Sequence, residues 1–267
     1  SGETRAALPI YLKGGLPVIS PSATNATLPS VGKDVFHRVV ANDDVQGPAL
    51  ATLAGNQPNA KVFIVDDQST YGKDLATTVK KKLAKAKQVG SDSVTSGATN
   101  FTSVVAKVKK AGANVVFYGG YYPEASKFVK ALRDNPATKD VKFIAGDGVL
   151  DNEYIKLAKK NAEGTSMTAP YIPMERADKK LTAIYKKEYG VAPAVYTLEA
   201  YNSAGFFLDA VKAGNTDRPS ILKYINTTSY KGVGQTIKFD ASGEPAVKVM
   251  NEFIVKNGSI EYVGAIK

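Results

Sequence analysis

The sequence predicts an α/β protein whose sheets are mainly parallel and covered by helices. Two observations point there: short β-branched or aromatic runs alternate with stretches carrying apolar residues at helical spacing, and the turns after the runs are rich in Gly, Ser, Thr and Asp. The charged start, residues 1–13, reads as a helix and has no apolar leader core. Residues 18–19, 35–40, 62–65, 115–118 and 143–145 read as strands. Leu75, Val79 and Leu83 repeat at helical spacing, as do Phe101, Val104, Val105 and Val108. Leu181, Ile184, Tyr185 and Tyr189 predict a third amphipathic helix. A longer helix runs over 197–213 and stops at Gly214, a residue suited to the left-handed position after a helix. Asp217-Arg218-Pro219 opens another helix through Ile225. Beyond Tyr230 the character changes: 235–239, 248–255 and 260–263 read as antiparallel strands turned at Asp240-Ala241-Ser242-Gly243 and Lys256-Asn257-Gly258. No repeat or low-complexity linker appears, so two lobes must be joined by strands that cross between them.

Length and composition bound the function. The 267 residues suit one large or two ordinary domains, and 43% hydrophobic residues are enough for a sizeable core. No apolar run approaches the roughly 18 residues a membrane span needs. The net charge of +10 raises the question of a polyanion partner. The lysines, however, fall in doublets such as Lys109-Lys110 and Lys179-Lys180, outside the apolar stripes, as on solvated helix surfaces. Arginine is scarce and no basic-aromatic motif occurs, so no nucleic-acid partner is expected. Zero cysteine removes disulfides, thiolate catalysis and cysteine metal sites together.

In open α/β sheets ligands sit beyond the carboxyl ends of strands. Four such ends are rich in binding chemistry: Pro21-Ser22-Ala23-Thr24-Asn25, Asp66-Asp67-Gln68-Ser69-Thr70-Tyr71-Gly72, Gly119-Gly120-Tyr121-Tyr122-Pro123-Glu124 and Gly146-Asp147-Gly148. Hydroxyls and helix-start N–H groups donate to a carboxylate, while an acid and tyrosine faces hold an ammonium. Ordinary βα turns share this composition, but four coherent loops favour a small ligand carrying both charges.

Enzyme readings have less support. The one histidine, His37, lies in an alternating run and reads as a half-buried strand residue rather than a base. No nucleophile elbow, phosphate-binding loop or dinucleotide fingerprint is present. Asp66-Asp67 suits magnesium or phosphoryl chemistry in isolation; the structural alternative is that one of them caps the helix from about Tyr71. No enzyme activity, cofactor or metal is expected.

The same loops, in order and joined by Gly146-Asp147-Gly148-Val149, Ala162-Glu163-Gly164, Val233-Gly234 and Phe239-Asp240-Ala241-Ser242-Gly243, resemble the leucine/isoleucine/valine-binding protein family of ABC importers over essentially the whole chain. The resemblance implies two Rossmann-like lobes with parallel sheets joined by three crossovers, the type I periplasmic-binding fold. Lobe one would hold 1–42 and 171–249, lobe two 43–170 and 250–267. It implies that the Ser1 hydroxyl holds a ligand carboxylate and that the Ser22 carbonyl takes an ammonium. Thr24 would serve both groups, with Ala23 in the same ligand-binding turn. Tyr71 and Tyr121 would cover the ligand as the lobes close, Asp147 would face the ammonium, and Tyr196 would line the side-chain pocket.

Two departures follow from the resemblance. Asp147 stands one methylene short of the family's glutamate. The family also carries two βα units and a strand ahead of the Ser1 position, so lobe one is incomplete as read and a separate N-terminal piece, or a stretch ahead of residue 1, is expected. The implied function is capture of an amino acid and its delivery to the membrane permease of an ABC importer, in the periplasm or at the cell surface, a lipid anchor being left open. The ligand-binding domain of a regulator or receptor with the same fold is the alternative.

Overall fold

A computed structural model describes residues 1–266. The helices are α1 (Gly2–Lys13), α2 (Leu28–Gly32), α3 (Asp43–Gly55), α4 (Thr70–Lys82), α5 (Thr102–Lys110), α6 (Tyr122–Asp134), α7 (Asn152–Ala158), α8 (Met174–Ala177), α9 (Lys179–Tyr189), α10 (Thr197–Lys212) and α11 (Arg218–Thr227). The strands are β1 (Val18–Ser20), β2 (Phe36–Arg38), β3 (Val62–Asp66), β4 (Gln88–Ser93), β5 (Val115–Gly119), β6 (Lys142–Ala145), β7 (Ser166–Ala169), β8 (Tyr230–Lys231), β9 (Thr236–Ile237), β10 (Asn251–Lys256) and β11 (Ser259–Ala265). The chain divides into two compact units, Ser1–Asn42 with Pro170–Val249, and Asp43–Ala169 with Met250–Lys267.

The second unit is built on a seven-stranded sheet of order β11-β10-β7-β6-β5-β3-β4. The run β7-β6-β5-β3-β4 is parallel, and β10 and β11 join antiparallel. All five residues of β5 and the first four of β3 are buried, as expected where helices cover both faces. Leu75 and Val79 of α4 pack into that core with Leu50 of α3 and Ile64, Phe117 and Ile144 from three adjacent strands. The turn from β10 to β11 has positive φ at Asn257 (53°) and Gly258 (71°), the backbone that matches the twist of a two-residue hairpin.

The first unit holds the short parallel pair β1-β2, the antiparallel pair β8-β9 and helices α1, α2 and α8–α11. Its larger core joins Ile19, Val39, Phe206, Ile225, Ile237 and Phe239, with Phe206 stacked on both Tyr230 and Phe239. Asp217 and Ser220 form a full capping box at the start of α11, and α10 ends before Gly214 at φ 88°.

Several boundaries differ from expectation. The strand predicted over 35–40 is a single helical turn through Val35 followed by β2 alone; its ladder partner ends where Pro21, which has no N–H, follows Ser20. The strand predicted over 235–239 shrinks to β9 because its partner β8 is two residues long, though Phe239 still bridges Pro245. That predicted from residue 248 begins at Asn251. The α9 stripe is not a core face: Ile184 is 53% and Tyr189 65% exposed, and Thr182 is the buried residue instead. Helical periodicity defines a face without saying what covers it.

Candidate functional site

In the first unit the turn after β1 is folded by its own polar atoms. The Ala23 N–H donates to Ser20 Oγ (3.0 Å), Asn25 Oδ1 accepts from the Thr27 N–H and hydroxyl (2.9 and 2.6 Å), and the Asn25 N–H reaches Ser1 Oγ (3.3 Å). Arg38, fully buried on β2, anchors the turn from beneath. One of its terminal nitrogens donates to the carbonyls of Ala23 and Asn25, each at 2.8 Å. Its Nε donates to both oxygens of the buried Glu244 (3.1 and 3.0 Å), which also accepts from Asn42 Nδ2 (3.1 Å). Fixing two carbonyls of one turn to one planar guanidinium holds the turn in a single conformation.

The predicted site residues here differ in what they offer. Ser22 is exposed, and Ser1 sits at the start of α1 beside the turn. Ala23 has both backbone polar groups engaged within the unit. Thr24 is 1% exposed, and its Oγ1 has no hydrogen-bond partner among the described residues. A buried hydroxyl without a partner costs free energy, so it marks a position where a polar ligand atom is favoured. Tyr196 takes positive φ (63°) at the start of α10, packs against the core and lies 5.7 Å, centroid to centroid, from Tyr171.

In the second unit three loops follow the adjacent strands β3, β5 and β6 and therefore share one sheet end. Tyr71, 2% exposed, is part of the core rather than a loose cover; its hydroxyl donates to Asp147 Oδ1 (2.7 Å) and accepts from the Gly148 N–H (3.1 Å). Burial, and then the Asp147 charge, push its hydroxyl pKa well above the usual value, so it remains a donor. Tyr121 is half-buried with its ring 5.2 Å from that of Tyr71. Both glycines flanking Asp147 are set by close packing: a Cβ on Gly146 would lie 2.4 Å from the Tyr71 hydroxyl, and one on Gly148 would lie 2.6 Å from the Gly120 carbonyl. The Asp147 carboxylate is thus aimed by a buried phenol and a tightly packed backbone.

Asp66 and Asp67 each accept from a backbone N–H of their own turn, and Asp67 Oδ2 is buried with no hydrogen-bond partner among the described residues. Asp66 accepts from the Gln68 N–H (2.9 Å) and the Ser93 hydroxyl (2.8 Å), and Asp67 from the Ser69 N–H (2.9 Å). Neither caps α4: Ser69 does, accepting from the Gly72 N–H, which corrects the expectation for this pair. His37 is 1% exposed, more buried than the alternating pattern implied, with Nε2 2.7 Å from Asn226 Oδ1, and burial lowers its pKa.

The sequence reading missed Arg38 and Glu244. Arg38 alone gave a local sign, a guanidinium inside an otherwise apolar strand pattern.

A family model described as periplasmic binding protein matches residues 1–259. The chain belongs to the periplasmic binding protein family. Family membership carries an extracytoplasmic location. A Leu/Ile/Val-binding protein homolog of Brucella melitensis is 32% identical over 254 residues, covering 92% of this chain and 67% of the relative. Among solved structures, a leucine-binding protein from Thermotoga maritima matches with a TM-score of 0.89 at 26% identity, over 99% of this chain and 77% of that one. A branched-chain amino acid transporter substrate-binding protein from Streptococcus pneumoniae, solved with isoleucine, matches with a TM-score of 0.87 at 27% identity and the same coverage. These neighbours have the type I periplasmic-binding fold. All three relatives are named as binding proteins rather than enzymes.

Proposed function

We propose that this periplasmic binding protein captures a branched-chain or similar amino acid and delivers it unchanged to the permease of an ABC importer. The observation that carries the reading is the isoleucine-bound relative, whose fold matches 99% of this chain. In this reading the chain acts outside the cytoplasm, tethered by lipid or free.

The chain's own residues divide the work by charge. The Ser1 hydroxyl meets the carboxylate end of the ligand, the Ser22 carbonyl takes its ammonium, and Thr24, with Ala23 in the same turn, serves both groups. Asp147, held by Tyr71, meets the ammonium, with the Tyr121 face beside it, and Tyr196 lines the apolar side-chain pocket. Charge-assisted hydrogen bonds in such a dry site contribute about 1.5–3 kcal/mol each. Closure follows ligand binding only in proportion to the ligand's preference for the closed state.

The test is calorimetry with leucine, isoleucine and valine on the wild-type protein and on Asp147→Asn. The substitution keeps shape and removes the charge, so affinity for the best ligand falls roughly tenfold or more, at about 1.4 kcal/mol per decade. Unchanged affinity removes Asp147 from the ammonium site, and no binding by any amino acid removes the function itself.

A further inference from the structure

A cavity of about 450 Å³ lies wholly within the first unit, within the size range of small-ligand sites. Ile172, Leu198 and Val233 contribute to its apolar wall, and Tyr171, Arg176 and Glu199 are the titratable groups that line it. None of the residues expected to hold the amino acid lines it. Glu199 lies in the first turn of α10 and is 3% exposed, and its Oε2 has no hydrogen-bond partner among the described residues. A carboxylate oxygen at a cavity wall, removed from water and without a donor, is an unfavourable arrangement for a fold to keep. A positively charged donor entering the cavity relieves it.

We propose that this cavity is a second small-molecule site, taking a primary ammonium on a short apolar body, with Glu199 as its anionic partner. The apolar wall accepts the body of such a ligand, and the Tyr171 ring supplies an aromatic face beside the cation. Burial raises the Glu199 carboxyl pKa to about 7, and it raises the Tyr171 hydroxyl pKa as well, with the Glu199 charge adding to the effect. Tyr171 therefore stays neutral, and Glu199 is the lining group whose charge changes near neutral pH, with the Arg176 side chain on the same cavity wall. Its charged form predominates above about pH 7, while an alkylammonium, with a pKa of roughly 10, keeps its proton there. Binding accordingly tightens from pH 5.5 to pH 8.5.

The experiment titrates the whole protein with 3-methylbutylammonium and, as a neutral control of the same shape, 3-methylbutan-1-ol, by calorimetry at both pH values. It is repeated on Glu199→Gln and in the presence of saturating leucine. The proposal expects the ammonium to bind roughly tenfold or more tightly than the alcohol at pH 8.5. It expects that advantage to vanish in Glu199→Gln while leucine affinity is unchanged, and the ammonium to bind alongside leucine. No ammonium binding, equal binding of the alcohol, or displacement by leucine overturns it. If Glu199→Gln fails to fold, the wild-type comparison of ammonium with alcohol at the two pH values decides alone. Loss of leucine binding with retained ammonium binding would count against the transport reading and leave this site standing.

Discussion

Replacing Arg38 by Met separates the stability of the first unit from the positioning of the turn that carries Thr24. The methionine fills similar volume but removes the Nε and terminal-nitrogen donors to the buried Glu244 carboxylate, leaving it Asn42 Nδ2 among the described residues, and removes the nitrogen that serves the carbonyls of Ala23 and Asn25. Breaking a buried pair from one side costs about 3–5 kcal/mol, because the remaining charge is left in the interior. At about 2–4 °C per kcal/mol for a chain of this size, the melting transition falls by about 6–20 °C. Scanning calorimetry reads this, with the first unit's transition followed separately if the two units melt apart. In the double variant Arg38→Met/Glu244→Leu no charge is stranded, so stability returns to within about 1–2 kcal/mol of wild type. The two carbonyls still lack their donors, so the turn stays loose and leucine binds roughly tenfold more weakly than to wild type. Wild-type melting of the single variant refutes the buried-pair argument, and wild-type leucine affinity in the double variant refutes the positioning argument.

Tyr71→Phe leaves Asp147 Oδ1 and the Gly148 N–H without their shared partner, so it lowers stability by about 1.5–3 kcal/mol and weakens leucine binding less than Asp147→Asn does; urea unfolding and calorimetry measure the two effects. Two buried groups give stability opposite slopes with pH. Glu199 titrates near 7 in the folded chain and near 4.5 when unfolded, so the native state binds the extra proton between those values and stability falls as pH rises through that window, by about 3 kcal/mol in all. His37 has its folded pKa lowered, so the unfolded chain binds the extra proton and stability falls as pH drops below about 6.5. Glu199→Gln removes the first slope and leaves the second, which urea midpoints at pH 5, 6, 7 and 8 resolve; an unchanged profile would falsify the burial of an ionisable Glu199.

What the sequence made legible follows from where each element sits. β3, β5 and β6 lie inside the sheet with both faces covered, so they had to be continuous apolar runs and were readable as such. β4 is an edge strand of sequence Gln-Val-Gly-Ser-Asp-Ser, where polar residues guard an open edge, and β7 buries Ser166 and Thr168; neither has a run to detect. The strand-end loops were legible because turn chemistry is local, and their likeness to amino-acid binders drew attention to Thr24 and Asp147. The groups that orient those residues are not local. Arg38 meets Glu244 across 206 positions and Tyr71 meets Asp147 across 76. In both units a side chain buried in the core sets the direction of a polar group at a strand end, so the geometry of the proposed binding groups inherits the rigidity of the core. A side chain that orients in this way looks, in the sequence, like any other buried residue. The same holds for Glu199: nothing in Thr197-Leu198-Glu199-Ala200 distinguishes a solvated helix-start acid from a buried one, because the difference is made by the packing around it.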